Sequence, residues 1–148
     1  MPQPSIGDFD RTLSPSVLED RAARGASALV ALGCGEDQSV ALILRNDLTQ
    51  LEIMRAGAKA GTVLVALNWH GATEEVAAIC EDSEAHTVII HRDLIDALRP
   101  ALEGRRVIGV TPDSALRSAY AITDIAASTE PDFPEWNDLV AAHEPLQP

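Results

Sequence analysis

Imidazole, thiol and carboxylate side chains are the groups of this sequence that could do chemistry, and their spacing limits what they could do. His86 and His91 bracket one apolar run and His70 follows the run before it, so chain order permits a shared cluster with Cys80 at one end of a sheet. The spacing follows no zinc-binding grammar, and Cys80 lies on the apolar side of a helical pattern, where a thiol acts as a small hydrophobic group. Nothing beside Cys34 or Cys80 would lower a thiol pKa enough to make a nucleophile. A serine nucleophile on a sharp strand-to-helix turn would need G-x-S-x-G, which does not occur. Glu74-Glu75 and Glu81-Asp82 are neighbours in sequence, so they cannot face one another as an acid and base pair and read as solvated helix ends. Gly33-Cys34-Gly35 precedes a strand instead of following one, and G-x-x-x-x-G-K-[ST] is absent, so neither phosphate-binding fingerprint is met. Asn68-Trp69-His70 remains as the polar and aromatic cluster at a strand's carboxyl end, where open α/β sheets place ligands, although packing is the simpler role for Trp69. No catalytic, cofactor-binding or metal-ligating residue is assigned.

The elements that must position these groups alternate. Val40 to Ile90 reads as an apolar run, a capped amphipathic helix, a second run, a second helix and a third run, the pattern of parallel strands joined by crossover helices. Strands are expected at 40–44, 62–67, 87–90 and 106–110. The first run has no alternation, as befits a strand covered on both faces. A helix is expected from Ser14-Pro15 to about Leu32, with Val17, Leu18, Ala22, Leu29 and Leu32 inward and Glu19, Asp20, Arg21 and Arg24 in water. The next helix is capped by Asn46 or Asp47, with Leu48, Leu51, Met54 and Ala58 on its inner side and Gln50, Glu52, Arg55 and Lys59 outward. Gly57 within it signals close packing on a neighbour. Thr73 is the expected cap of a third helix whose inner stripe is Val76, Ile79 and Cys80. A weaker helix over 93–102 contains Pro100. The fold class is therefore α/β: an open, mostly parallel sheet of about four strands with crossover helices on both faces. The expected division is a loop over residues 1–13, an α/β subdomain over 14–110, and a loosely structured extension over 111–148 holding a linker at 128–134 and a short helix near 134–142.

At 148 residues the chain is one domain by size. A net charge of −12 argues against nucleic-acid backbones and anionic lipid as partners. Two unpaired cysteines, no secretory pattern at the start and no apolar run of ~18 residues point to a cytoplasmic protein with no membrane span.

Arg45-Asn46-Asp47, Ala60-Gly61, Asn68-Trp69-His70 and Glu81-Asp82-Ser83, each set beside its strand, resemble the N-terminal region of AMP-dependent acyl-CoA synthetases, the adenylate-forming ligase superfamily. Trp136-Asn137-Asp138-Leu139-Val140 is similar to the short helix that often precedes the family's phosphate loop. The resemblance implies activation of a carboxylic acid with ATP and magnesium to an acyl-adenylate, followed by transfer to coenzyme A. The family's phosphate loop, adenine and ribose pocket and lysine on a mobile domain match no residue here. The expectation is an N-terminal portion of a fatty-acid or carboxylic-acid CoA ligase, inactive alone and binding no cofactor by itself. Its partner would be the remainder of the ligase or a second copy. The alternatives are a scaffold half of a split ligase that docks on a companion chain, and an independent flavodoxin-like small-ligand domain with its site beside residues 68–70.

Overall fold

The structure, a computed structural model, describes residues 3–9, 11–123 and 133–148. Strands β3 (Ser39–Ile43), β4 (Val63–Ala66), β5 (Thr87–His91) and β6 (Arg106–Val110) form a parallel sheet in the order β4-β3-β5-β6. Side chains of a strand alternate between faces, and the sheet divides its apolar residues accordingly. Val40, Leu42, Ile89 and Ile108 face one core, shared with α1 (Pro15–Ala31), α2 (Leu48–Ala60) and α6 (Trp136–Ala142). Ala41, Ile43, Val88, Ile90 and Val107 face the other, shared with α3 (Thr73–Asp82) and α4 (Ile95–Leu102). Helices thus cover both faces, which is why the strands read as unbroken apolar runs. A 3-10 turn (Arg92–Leu94) leads into α4, and α5 is Ser114–Ala119.

Local chemistry explains most helix ends. Ser14 Oγ accepts the Val17 N–H ahead of Pro15, Asp47 caps α2 by accepting the Gln50 N–H at 2.9 Å, and Gly61 closes α2 at φ 77°. Helix α3 departs from expectation. Its N-cap is Ala72, with no side-chain cap, and Thr73 sits inside the helix and donates its hydroxyl to the Ala97 carbonyl on α4 at 3.2 Å. Gly57 meets its packing requirement: a Cβ there would lie 2.6 Å from Leu64 Cδ1 of β4.

Other expectations also need correction. Residues 6–8 (β1) and 11–13 (β2) are not loop but a short antiparallel pair in which Ile6 lies opposite Leu13. Val17 is exposed on α1. The inner face of α2 is Leu48, Glu52, Ile53, Ala56 and Ala60, while Met54 and Ala58 point outward. Both stripes satisfy helical spacing, and the alternative won because Glu52, though charged, has partners inside. Arg21 Nε of α1 donates to Glu52 Oε2 at 2.6 Å, and Trp136 Nε1 of α6 donates to Glu52 Oε1 at 2.8 Å. Those bonds meet the requirement that a buried carboxylate be paired and hydrogen-bonded.

The chain after β6 is likewise not loose where it is described. Trp136 is fully buried, its ring lying so close to α1 that a Cβ on Gly25 would come within 2.6 Å of it. Glu135 fastens the approach to α6 by accepting from Arg92 Nε at 2.7 Å and from the Thr111 N–H at 2.8 Å. The Gly109 N–H of β6 donates to the Pro134 carbonyl at 2.8 Å. Most of the expected linker at 128–134 lies outside the described residues.

Candidate functional site

The order β4-β3-β5-β6 places a topological switch point between β3 and β5, because the crossover from β3 leads outward to β4 and the next one returns to the opposite side. In open α/β sheets the crevice beyond the carboxyl ends at such a point is where ligands bind. Here that position receives Arg45 and Asp47 from the end of β3 and His91 and Asp93 from the end of β5.

These side chains pair with one another in part, while Arg45 Nε and His91 Nε2 are buried without a hydrogen-bond partner. Arg45 reaches both carboxylate oxygens of Asp93, at 2.9 and 2.7 Å, with the two side chains only 4% and 7% exposed. Its guanidinium lies 4.5 Å from the Trp69 ring centroid and 5.1 Å from that of Tyr120, a planar cation packed against two aromatic rings that themselves meet edge-on at 5.4 Å. His91 is fully buried, and its Nδ1 accepts the Arg45 backbone N–H at 3.1 Å. A neutral ring in that tautomer carries its proton on Nε2, which lies 3.4 Å from Asp47 Oδ2 without a hydrogen bond to it. The imidazole nitrogen that could act as a base is therefore used by the backbone.

Beside this cluster, Asp8 of β1 accepts the Leu48 N–H at the start of α2 at 2.7 Å, and Arg11 of β2 pairs with Asp8 at 2.7 Å and Asp113 at 2.9 Å. Burial pushes the Asp8 carboxyl up, but the Arg11 guanidinium and the Leu48 N–H outweigh it and hold the group below the ordinary carboxylate range. A lowered folded value means that Asp8 adds stability above the unfolded carboxylate pKa of ~4, and that this is lost as pH falls through the folded value. Burial lowers Arg11, but its carboxylate neighbours raise it further, so it stays charged.

Residues 3–146 match the model of the family described as AMP-binding enzyme. The chain belongs to that family. It is 33% identical over 100 residues to the fatty acid–[acyl-carrier-protein] ligase ScoC of Streptomyces coeruleorubidus, a match covering 68% of this chain and 18% of that protein. It is 29% identical over 90 residues to a plipastatin synthase polypeptide of Bacillus subtilis, covering 61% of this chain and 4% of that one. Among solved structures, the Brucella canis acyl-CoA synthetase superposes with a TM-score of 0.75 at 16% identity, over 96% of this chain and 25% of that chain. The benzoate CoA ligase of Burkholderia xenovorans gives 0.71 at 21% identity, over 91% and 24%. At those identities the likeness is one of fold, the N-terminal subdomain of adenylate-forming ligases. The chain spans about a quarter of these structural relatives and less of the curated ones.

Of the residues singled out from sequence, Trp69 and His91 both meet Arg45, and the others do not join them. His91 ends β5, whereas His86 precedes its first residue, so the two sit at opposite ends of the sheet. Cys80 is buried under α3 against the second core, and that burial pushes its thiol pKa up, against a modest opposing effect of Arg105. Cys34 is buried near the amino end, its Sγ 3.4 Å from Thr87 Oγ1. Among the described residues no group of three or more His, Cys, Asp or Glu is placed to hold a metal ion. Asn68-Trp69-His70 does sit at the carboxyl end of β4: Asn68 Oδ1 accepts the His70 N–H at 3.0 Å, and Trp69 packs on Arg45. Arg45, Asp93, Asp47, Arg11 and Tyr120 were not among the sequence candidates. The Arg45-Asn46-Asp47 run flagged the place, but its partners come from four other segments.

Proposed function

We propose that this chain supplies the N-terminal scaffold of an acyl-CoA synthetase, the part against which ATP-dependent activation of a carboxylic acid is organised, and that it does not activate a carboxylic acid alone. The observation that carries this reading is a family match across residues 3–146 combined with a switch point filled by the protein's own ion pairs. The residues present do not fit a nucleotide. Asp8, Asp47, Asp93 and Asp113 crowd the carboxyl end, the Arg11 and Arg45 cations are already paired, and no glycine-rich loop follows a strand there. In this reading ATP, magnesium and coenzyme A are handled by other parts of the ligase, in the cytoplasm, on a fatty or other carboxylic acid. Purified chain given ATP, magnesium and a panel of carboxylic acids is expected to show no pyrophosphate exchange above the protein-free blank; sustained exchange would overturn the reading.

A second reading, one half of a split ligase that docks on a companion chain, is favoured by β4. Among the described residues no strand pairs with its outer edge, its sequence Val-Leu-Val-Ala carries no charge, and Val63 is 49% exposed. An uncharged apolar edge of this kind invites strand addition, and a lysine is the usual protection. The chain is therefore expected to bind a hydrophobic dye and to sediment in a concentration-dependent manner, with V63K reducing both. A monodisperse monomer that binds no dye counts against docking.

A further inference from the structure

Strands β1 and β2 are held to the rest of the molecule by ions, not by a core. Each strand is three residues long, and neither contributes to either buried apolar cluster. A two-stranded pair of that size is marginal in water, so its order depends on what it docks against. Its anchors to later segments are mostly polar. Asp8 Oδ2 accepts the Leu48 N–H at 2.7 Å, and Arg11 reaches Asp113 at 2.9 Å, Thr49 Oγ1 at 3.2 Å and Asp47 at 3.6 Å. Phe9 adds an edge-on contact with the Tyr120 ring at 6.4 Å between centroids. Between the pair and α2 runs a groove of about 470 Å³, with Ile6 and Asp8 on one wall and Asp47, Leu48, Leu51 and Met54 on the other.

We propose that paired β1 and β2 form a releasable ionic strap across the carboxyl end of β3, which undocks as a unit from the start of α2 while the four-stranded sheet stays folded. Arg11 is the shared cation of the latch. Without it, Asp8, Asp47 and Asp113 face one another with no positive charge between them, and attraction becomes repulsion. Arg11 and Asp113 are 35% and 28% exposed, so dissolved ions reach this contact, unlike the Arg45–Asp93 pair behind it. Undocking frees the Leu48 N–H and opens the groove beside Asp47, so the strap governs whether this side of the switch point is covered.

Amide hydrogen exchange on the 148-residue chain tests this, comparing wild type with R11Q at about 0.05 M and about 1 M NaCl, where the screening length falls to ~3 Å. In R11Q the Leu48 amide is expected to exchange roughly tenfold faster or more, with amides of Val40 to Ile43 unchanged, as for a local opening. Salt is expected to speed Leu48 in the wild type and not in R11Q. Unchanged Leu48 exchange in R11Q overturns the strap, and so does a rise shared equally by Leu48 and the sheet, which would make Arg11 a support of the whole fold. Should R11Q fail to fold, the wild-type salt series decides: a rise confined to Leu48 and the β1–β2 amides supports the strap, and no rise or a uniform one overturns it.

Discussion

Trp136→Ala is expected to destabilise the protein by about 3–5 kcal/mol, the range for removing a large buried ring. Trp136 is fully buried and packs where Gly25 leaves room on α1, so truncation opens a cavity among α1, α2 and α6. It also removes a donor from Glu52, whose side chain is 4% exposed and then depends on Arg21 alone. Trp136→Phe separates the two effects. It keeps most of the volume and loses the N–H, and is expected to cost about 1–3 kcal/mol, the penalty of leaving a buried acceptor short of a partner. Urea unfolding followed by circular dichroism measures both. Equal losses for Phe and Ala would show that the hydrogen bond, not the packing, is what Trp136 contributes. A loss below about 1 kcal/mol for Ala would mean that α6 is not part of the cooperative unit.

Breaking the Arg45–Asp93 pair from one side should be nearly as severe. Arg45→Met leaves Asp93, 7% exposed, without its bidentate partner and is expected to cost about 3–5 kcal/mol. Adding Asp93→Leu should recover most of that loss, because an apolar pair removes the desolvated charge along with its missing partner. The four proteins of this double-mutant cycle, unfolded in urea, give the coupling directly. If the double variant loses the sum of the two single losses, the pair is not coupled, and the switch point is not held by it. The cycle also bears on the scaffold reading, since a pair whose charges serve only each other should be replaceable without loss of fold.

The sequence made the alternation of elements legible because each element carries its own signal. Continuous apolar runs mark β3, β5 and β6, Ser14-Pro15 and Asp47 mark two helix starts, and Gly57 marks a close approach. Where the reading erred, a distant partner overruled a local rule. Glu52 belongs outward by polarity alone, yet Arg21 lies 31 positions before it and Trp136 lies 84 after it. Thr73 is a reasonable cap by type, but its hydroxyl finds a carbonyl on α4 instead. Residues 6–8 and 11–13 have too few apolar positions to show a strand pattern, and the pair is docked by Asp8 and Arg11 contacts to later segments.

By itself the sequence determined an α/β unit of the AMP-binding enzyme family with its strands and crossover helices, because periodicity, caps and local motifs are properties of neighbouring residues. Only the tertiary structure decided the strand order, and with it the position of the switch point between β3 and β5, where Trp69 reaches in from the end of β4 to pack on Arg45. It also decided that Arg45, Asp93, His91 and Asp47 meet there, 46 and 48 positions apart across the β3–β5 pairing. The physical reason is that parallel strands become neighbours only through crossovers, so side chains at their carboxyl ends are joined by the packing of the sheet and not by any spacing along the chain.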